Sequence, residues 1–456
     1  MDKHQITRRA FLAASTTTAV LAGCAKGGKP NTAKVVPGKE SPNEKINLGI
    51  IGGGGKGMDD LMSLKKAGAN VVCIADPDWK RAAEAFYRCP DAKQYKDYRK
   101  MLDEMAGQID ACTVSTPDHT HAPAAYMAMN LGKHVYVQKP LTHTIAEARL
   151  LRETANKTGV VTQMGNQGHC GVGVRELCEM MWSGVIGDVK EAHIWTNRPV
   201  WPQGITEPLP EEAVPADMDW DLWLGTAPVR PYNSKYAPFN WRGWWDFGCG
   251  AIGDMACHIM DPAFWSLKLI EAPAFTVQTV MQEGMSAQTG PNKSVIKFEF
   301  PARADVGPVT VYWHDGGDMP PRPEGVPESQ KLGDGDNGSI FIGTKGILTA
   351  GEYGGEARLL PDEKMTGYTK PEPTIPRVSH NSPYYDFVDC IRNGKVTASN
   401  FNYAGPLTEV ANMGNVALHA NGEVVAFDVK SMKVTNNPEL NKLLTKPYRK
   451  GWELPC

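Results

Sequence analysis

At 456 residues, the chain is long enough for two domains with full cores and leaves room for an export segment. Its formal net charge is -3 and no long run of Lys and Arg follows the first strand, which argues against nucleic acid as a partner. The ten cysteines include no Cys-x-x-Cys pair, and Cys73 and Cys112 fall in apolar strand-like runs where a thiol packs as a small hydrophobe, so no disulfide framework is expected.

The first residues read as an address. Thr7-Arg8-Arg9-Ala10-Phe11-Leu12 matches a twin-arginine export signal, and the apolar stretch Phe11 to Gly23 is too short to cross a bilayer as a permanent helix. It closes in Leu21-Ala22-Gly23-Cys24, which resembles a bacterial lipobox, so Cys24 is the expected lipidation site. Residues 25–44, rich in Lys, Gly, Pro and Asn, form a flexible tether. The expected location is the periplasm or cell envelope, with membrane contact only through the signal or lipid.

Next, an apolar run beginning at Ile46 fits a buried parallel strand and leads into Gly52-x-Gly54-x-x-Gly57, with helical composition from Met58 to Ala67. This is the context of a dinucleotide-binding turn. Gly52 permits the turn, Gly54 a close approach of pyrophosphate, and Gly57 close packing of helix on strand, while Gly55 and Lys56 lie at the helix N-terminus with its free N–H groups. A second strand, Asn70 to Ala75, ends at Asp76, nineteen residues past Gly57, where a carboxylate can accept hydrogen bonds from ribose hydroxyls. Asp76 favours NAD over NADP, and Lys80 and Arg81 weaken that preference. Helices are predicted over Trp79 to Arg88 and Tyr98 to Met105, then a strand from Ile109 to Ser115. That strand ends in Thr116-Pro117-Asp118-His119-Thr120-His121, at the carboxyl edge of the sheet where ligands of open α/β folds bind. Thr116, Pro117, His119 and His121 are candidate cofactor-lining residues; two alternate histidines without a nearby third ligand do not make a metal site, and none is expected. A helix from about Ala122 to Asn130, a strand from His134 to Gln138 and Lys139-Pro140 complete a doubly wound parallel pattern.

The fingerprint, Asp76, Thr116-Pro117-Asp118-His119-Thr120-His121 and Gln138-Lys139-Pro140 together resemble the Gfo/Idh/MocA oxidoreductases, over nearly everything after the tether. The resemblance implies a Rossmann domain over residues 45–165 and, over 166–456, an α+β domain with a mostly antiparallel open sheet that binds substrate and builds a homo-oligomer, a dimer or tetramer. It also assigns to Lys139 contacts with the reacting hydroxyl and the nicotinamide ribose. Gln138 departs from the family's Glu-Lys-Pro pattern, keeping hydrogen-bonding capacity but losing a charge beside Lys139.

A helix over Thr144 to Thr158 and a strand over Val160 to Met164 lead to Gly165-Asn166-Gln167-Gly168-His169. This crossing leaves a sheet edge facing the nicotinamide, so Asn166 and Gln167 are candidate cofactor contacts and His169 a substrate contact; a plain hinge is the equal alternative. Strand-like runs then recur at Val189 to Thr196, Phe275 to Met281, Ser294 to Phe300 and Val309 to Trp313. Between the first two, Trp201 to Trp245 carries six of the twelve tryptophans. Such rings stack on the C–H faces of sugars, with polar groups such as Arg242, Asp219 and Asn240 reading hydroxyls, or else supply the segment's own core. Arg242, Trp244 and Trp245 are therefore substrate candidates. In Gly250 to Asp261, Asp254 and His258 are four apart and share a helix face. A carboxylate beside an imidazole orients it as a base, and the family has Asp-x-x-x-His at its reacting centre. Carried over, His258 is the general acid/base, Asp254 its partner, and Asp261 a structural hydrogen-bonding residue. Ser339 to Gly346 resumes the sheet, Tyr384 to Asn393 and Leu407 to Asn421 are helices, and the tail from Phe427 to Leu454 offers no chemistry.

The expected activity is hydride transfer between a secondary hydroxyl of a sugar-like substrate and a tightly held NAD. Two rivals remain: an NAD-dependent, redox-neutral glycoside hydrolase, and a carbohydrate-binding lipoprotein without activity.

Overall fold

The computed structural model describes residues 45–303 and 305–456; the expected export signal, Cys24 and the tether lie outside them. The chain opens as a run of alternating strands and helices. These are β1 (Asn47–Ile51), α1 (Lys56–Lys66), β2 (Asn70–Ala75), α2 (Trp79–Arg88), β3 (Lys93–Tyr95), α3 (Tyr98–Met105), β4 (Ala111–Val114), α4 (His121–Asn130), β5 (His134–Val137), α5 (Ile145–Thr158) and β6 (Thr162–Met164). All six strands are parallel, in the order β3-β2-β1-β4-β5-β6, as expected for a Rossmann sheet. The order reverses between β1 and β4, and that switch point opens the crevice in which ligands of such sheets bind. β4 and β5 are buried along their whole length, because helices cover both faces of a parallel sheet. Local chemistry sets the helix starts: Asp78 and Asp97 cap α2 and α3, and Thr144 with Glu147 forms a capping box on α5. β3 is short, and its Lys-Gln-Tyr sequence carries no apolar alternation to announce it.

After α6 (Val172–Trp182) and β7 (Val189–Trp195), the chain makes an excursion through residues 196–249 whose regular structure is one short α-helix, α7 (Trp220–Leu224), and a 3-10 turn over Asn240–Gly243. It then forms α8 (Gly250–Ile259), α9 (Asp261–Ser266), β8 (Ala274–Glu283), β9 (Lys293–Phe300), β10 (Val309–His314), β11 (Gly338–Gly343), β12 (Ile347–Ala350), β13 (Arg358–Leu360), α10 (Pro383–Asn393), α11 (Phe401–His419), β14 (Val425–Asp428) and β15 (Lys433–Val434). The second sheet has nine strands in the order β13-β12-β11-β7-β10-β9-β8-β14-β15, antiparallel except at β7–β10.

α11 begins at Phe401, six residues earlier than expected from the sequence, because Pro406 lies inside the helix rather than at its start. One apolar core runs through both sheets, from Ile51 and Val114 to Phe298 and Trp313. α10 belongs to neither sheet by sequence. Its Phe387, Val388 and Ile391 complete a core with Ile46, Leu48, Ile50 and Leu61 on the opposite side of the first sheet.

Candidate active site

A cavity of about 370 Å³ opens at the switch point of the first sheet. One wall is the glycine turn Gly52, Gly54, Gly55 and Lys56; a second is Asp76, Pro77, Asp78 and Arg81; and a third is Thr116, Pro117 and Asp118 at the end of β4. The floor runs to Gln138 and Lys139, while Trp223, Phe239, Trp241 and Arg242 from the excursion form the roof.

The turn needs its glycines for steric reasons that differ in part from those read in the sequence. A side chain at Gly57 would collide with the carbonyl oxygen of Gly52, so the third glycine does let α1 lie on β1. At Gly54 a side chain would strike the side chain of Arg81 and, at 2.9 Å, its carbonyl oxygen, so this glycine admits α2 as well as any ligand. Asp76 also has a second task. Its carboxylate accepts from the backbone N–H of Gly53 at 2.8 Å and of Asp78 at 2.9 Å, pinning the turn. Burial, partly offset by those N–H groups, raises its carboxyl to about 6.

The Lys139 end is arranged differently from the expectation, and neither Asp254 nor His258 is among the residues that line the cavity. Asp254 and His258 are one turn apart on the fully buried α8, yet no hydrogen bond joins them. Lys139 Nζ instead donates to Asp254 Oδ1 at 2.8 Å and to its carbonyl oxygen at 3.0 Å, and Arg242 Nε donates to the same Oδ1 at 3.2 Å. Two cations outcompete a neutral imidazole for one carboxylate because charge-assisted bonds are roughly twice as strong as neutral ones. Burial alone would raise the Asp254 carboxyl; Lys139 and Arg242 more than offset it, leaving it lowered to about 2. His258 is buried with Nδ1 unpartnered, its ring edge-on to Tyr353 at 5.2 Å. Burial, reinforced by Lys139, lowers it to about 3, so it is neutral near pH 7.

Gln138 has a physical reason to be an amide. Its Nε2 donates to both oxygens of Asp60, at 3.0 and 2.8 Å. Asp60 is fully buried and also accepts from Lys56 Nζ, Ser115 Oγ and Tyr384 OH at 2.7 to 2.8 Å. A glutamate at 138 would face that carboxylate with a second one, whereas an amide supplies a donor.

Several expected contacts lie elsewhere. His119 and His121 do not line the cavity: each is buried between two backbone carbonyls, of Phe247 and Trp223 for the first and of Pro140 and Thr116 for the second. Asn166 is buried and accepts from Ser399 Oγ at 2.7 Å, and neither it nor Gln167 reaches the cavity. His169 is held by Asp261 at 3.0 Å and packs on Trp265 and Tyr403, a structural pairing that also gives Asp261 its role. Trp244 is only 1 % exposed, inside an aromatic core with Trp223, Tyr236 and Phe247. Trp245 packs against His419. Most of the tryptophans therefore hold the excursion together, since a segment with almost no regular structure has few other ways to bury apolar area.

Asp118 was not singled out in the sequence. It lines the cavity, accepts at Oδ2 from the N–H of Cys249 at 3.1 Å, and is raised by burial to about 7, with Arg242 and Lys139 opposing and Asp254 reinforcing the shift. A carboxyl poised near neutral pH inside a cleft is suited to proton transfer. Its place at the end of β4 was the available signal.

The comparisons follow from this geometry. Residues 46–166 match the family description "Oxidoreductase family, NAD-binding Rossmann fold", and residues 173–294 match "Oxidoreductase family, C-terminal alpha/beta domain", together more than half of the chain. The chain belongs to the Gfo/Idh/MocA oxidoreductase family. Among curated relatives, a scyllo-inositol 2-dehydrogenase (NAD(+)) of Bacillus subtilis is 30% identical over 123 residues, 26% of this chain and 35% of that protein. An inositol 2-dehydrogenase of Leifsonia xyli subsp. xyli is 28% identical over 203 residues, 43% of this chain and 58% of that one. The matches thus span about a third to three fifths of those relatives. Among solved structures, the WlbA dehydrogenase from Bordetella pertussis, in complex with NADH and UDP-GlcNAcA, superposes with TM-score 0.58 at 15% identity, covering 85% of this chain and 99% of that one. A levoglucosan dehydrogenase in complex with NADH and levoglucosan gives 0.55 at 19% identity, covering 84% and 99%. At these identities the two structures show the shared fold.

Proposed function

We propose that this family member is an NAD-dependent dehydrogenase acting on a secondary hydroxyl of a sugar or polyol. The observation that carries the reading is a single cavity that runs from the glycine turn and Asp76 to Lys139, whose ammonium is held by Asp254 beside Arg242. The residues present fit a dinucleotide. The turn offers backbone N–H groups at the start of α1, Arg81 lies over Gly54 and Gly55 with its charge available to a phosphate, and Asp76 and Asp78 stand where ribose hydroxyls need acceptors. The relatives that act on inositols and the nucleotide named in the structural neighbours support the same reading.

When bound, a nicotinamide accepts or returns the hydride. The chain's own residues do the rest. Lys139 donates a hydrogen bond to the substrate oxygen and stabilises the negative charge that grows there as the proton leaves. Asp254, itself held by Arg242, fixes the lysine in place. His258, neutral, with an unpartnered Nδ1 and set behind the cavity lining one turn along α8 from Asp254, is the group the family pattern assigns to the proton, and Trp223 and Trp241 cover the cavity with apolar rings.

A second reading is favoured by one observation: Asp118 adds another proton-transfer group to the same end of the cavity. A redox-neutral glycoside hydrolase needs such a group, because transient oxidation of a ring hydroxyl acidifies the neighbouring C–H, and elimination then requires a base for that proton and an acid for the leaving oxygen. A screen of free sugars, polyols and glycosides tests both readings. Nicotinamide absorbance reports net oxidation, and chromatography of products reports cleavage. Neither signal on any substrate would leave the binding-protein alternative.

The twin-arginine signal, lipidation at Cys24, a cell-envelope location and a homo-oligomer complete the proposal; labelling with a lipid precursor in a Cys24→Ala comparison tests the anchor. Export of a folded enzyme away from the cytoplasmic NAD pool implies that dinucleotide travels with it. Protein purified without added nucleotide should then release close to one dinucleotide per chain on denaturation, read by mass spectrometry.

A further inference from the structure

The tail after β15 carries no recognisable chemistry in its sequence, yet it ends against the cavity, where Trp452 is one of the lining residues. Lys446 Nζ reaches the carbonyl of His119 at 3.2 Å, His143 Nδ1 at 3.1 Å and Glu147 Oε1 at 3.1 Å. Glu147 is fully buried in the first turn of α5, and Tyr448 OH donates to the same Oε1 at 3.0 Å. Three residues on, Arg449 donates to the carbonyls of Gly225 and Asp221 at 2.9 and 2.7 Å and pairs with the Asp221 carboxylate. One anchor is therefore on the first sheet's side and the other on α7 of the excursion. Three residues beyond the second anchor the tail delivers Trp452 into the cavity wall. Its ring lies under the guanidinium of Arg99 at 3.9 Å and against Tyr98 at 6.1 Å. Arg99 is in turn gripped by Asp97, a wall residue, through bonds of 2.7 to 3.1 Å.

We propose that residues 446–452 are a clasp that retains the dinucleotide, with Trp452 as the residue that closes the cavity beside Lys96, Asp97 and Tyr98. The proposal rests on the dinucleotide reading of the cavity and adds how the ligand is kept there. Both anchors place charged groups on buried or backbone partners, so lifting the tail would strand the Glu147 carboxylate without its cation. That makes the lifted state rare and release slow.

The test loads the full chain with radiolabelled NAD and follows its loss in excess unlabelled NAD. Trp452→Ala should release label at least about tenfold faster than the parent protein, and Trp452→Phe should restore most of the retention. Arg449→Gln, which loosens the tail and keeps the ring, should shift release in the same direction and serves if the alanine variant does not fold. Folded Trp452→Ala and Arg449→Gln proteins that release NAD at the parental rate would overturn the clasp while leaving the cavity's reading intact. A parent protein that binds no NAD at all would overturn both.

Discussion

The two ends of the cavity are built on different principles. At the glycine turn the chain itself is the binding surface: backbone N–H groups, glycines without room for a Cβ, and an Asp76 carboxylate satisfied by two N–H groups a few residues away in space. At the Lys139 end the surface is charge. Asp118 and Lys139 come from one stretch of the chain and Arg242 and Asp254 from another about a hundred residues on, and His258, one turn along α8 from Asp254, has an unsatisfied ring nitrogen. The first end is pinned by the Asp76 carboxylate on the N–H groups of Gly53 and Asp78; the second holds groups whose protonation can change. Substitutions at one end should therefore move binding and stability, and at the other turnover and its pH dependence.

The largest effect should come from Lys139→Ala. Removing the group proposed to hold the reacting oxygen should lower kcat by about 1,000-fold or more, while dinucleotide content by mass spectrometry falls far less, since Lys139 is one of many contacts proposed for the nucleotide. A loss of dinucleotide in step with turnover would erase the distinction between the ends.

His258→Ala follows, with turnover down about 100-fold and dinucleotide binding little changed. Near-normal turnover would remove His258 from the proton path and leave Asp118 as the candidate.

Asp118→Asn sharpens the comparison through pH. Its carboxyl is raised by burial from the ordinary 3.8 to about 7, so the folded chain holds this proton more tightly than the unfolded chain does. Between about pH 4 and pH 7 that difference makes the native state progressively less favourable as pH rises. The neutral amide escapes this cost, so the variant's melting temperature should gain more at pH 8 than at pH 5. Its pH–rate profile should also lose an inflection near neutrality, with turnover down about tenfold or more. A stability difference that does not depend on pH would show that the carboxyl is not buried as described.

At the other end, Asp76→Ala should act mainly on binding. It frees the N–H groups of Gly53 and Asp78 and removes a ribose acceptor, at about 1 to 3 kcal/mol of stability. NAD affinity should fall more than NADP affinity, with kcat on saturated enzyme nearly unchanged; equal weakening of both nucleotides, measured by titration, would take Asp76 away from the ribose.

The contrast also explains what could be read in advance. The first sheet was legible almost element by element, because strand, glycine turn, helix and terminal acid are local signals, and α2 and α3 fall where their composition placed them. Of the residues singled out in the second half of the site, Lys139, Arg242 and Asp254 do meet in the structure. Their pairing was not legible, because spacing on α8 gives proximity between Asp254 and His258 but says nothing of a lysine and an arginine that arrive from other segments. The same blindness hid the reason for Gln138, which lies in Asp60, and the fate of the tryptophans, since composition counts rings and does not report which are buried. The tail was silent for the strongest version of this cause: Lys446 and Arg449 act on partners more than two hundred residues away.

α10 carries a consequence for the order of events in synthesis. Phe387, Val388 and Ile391 fill the outer core of a sheet whose last strand ends at Met164, so more than two hundred residues separate the sheet from a piece of its own interior. On the ribosome the nucleotide-binding half must wait, with the flank beneath Leu48 and Leu61 bare, until α10 has emerged. The turn at Gly52 becomes a settled receptor for a ligand only near the end of translation. In this protein the earliest-made domain is among the last to be finished.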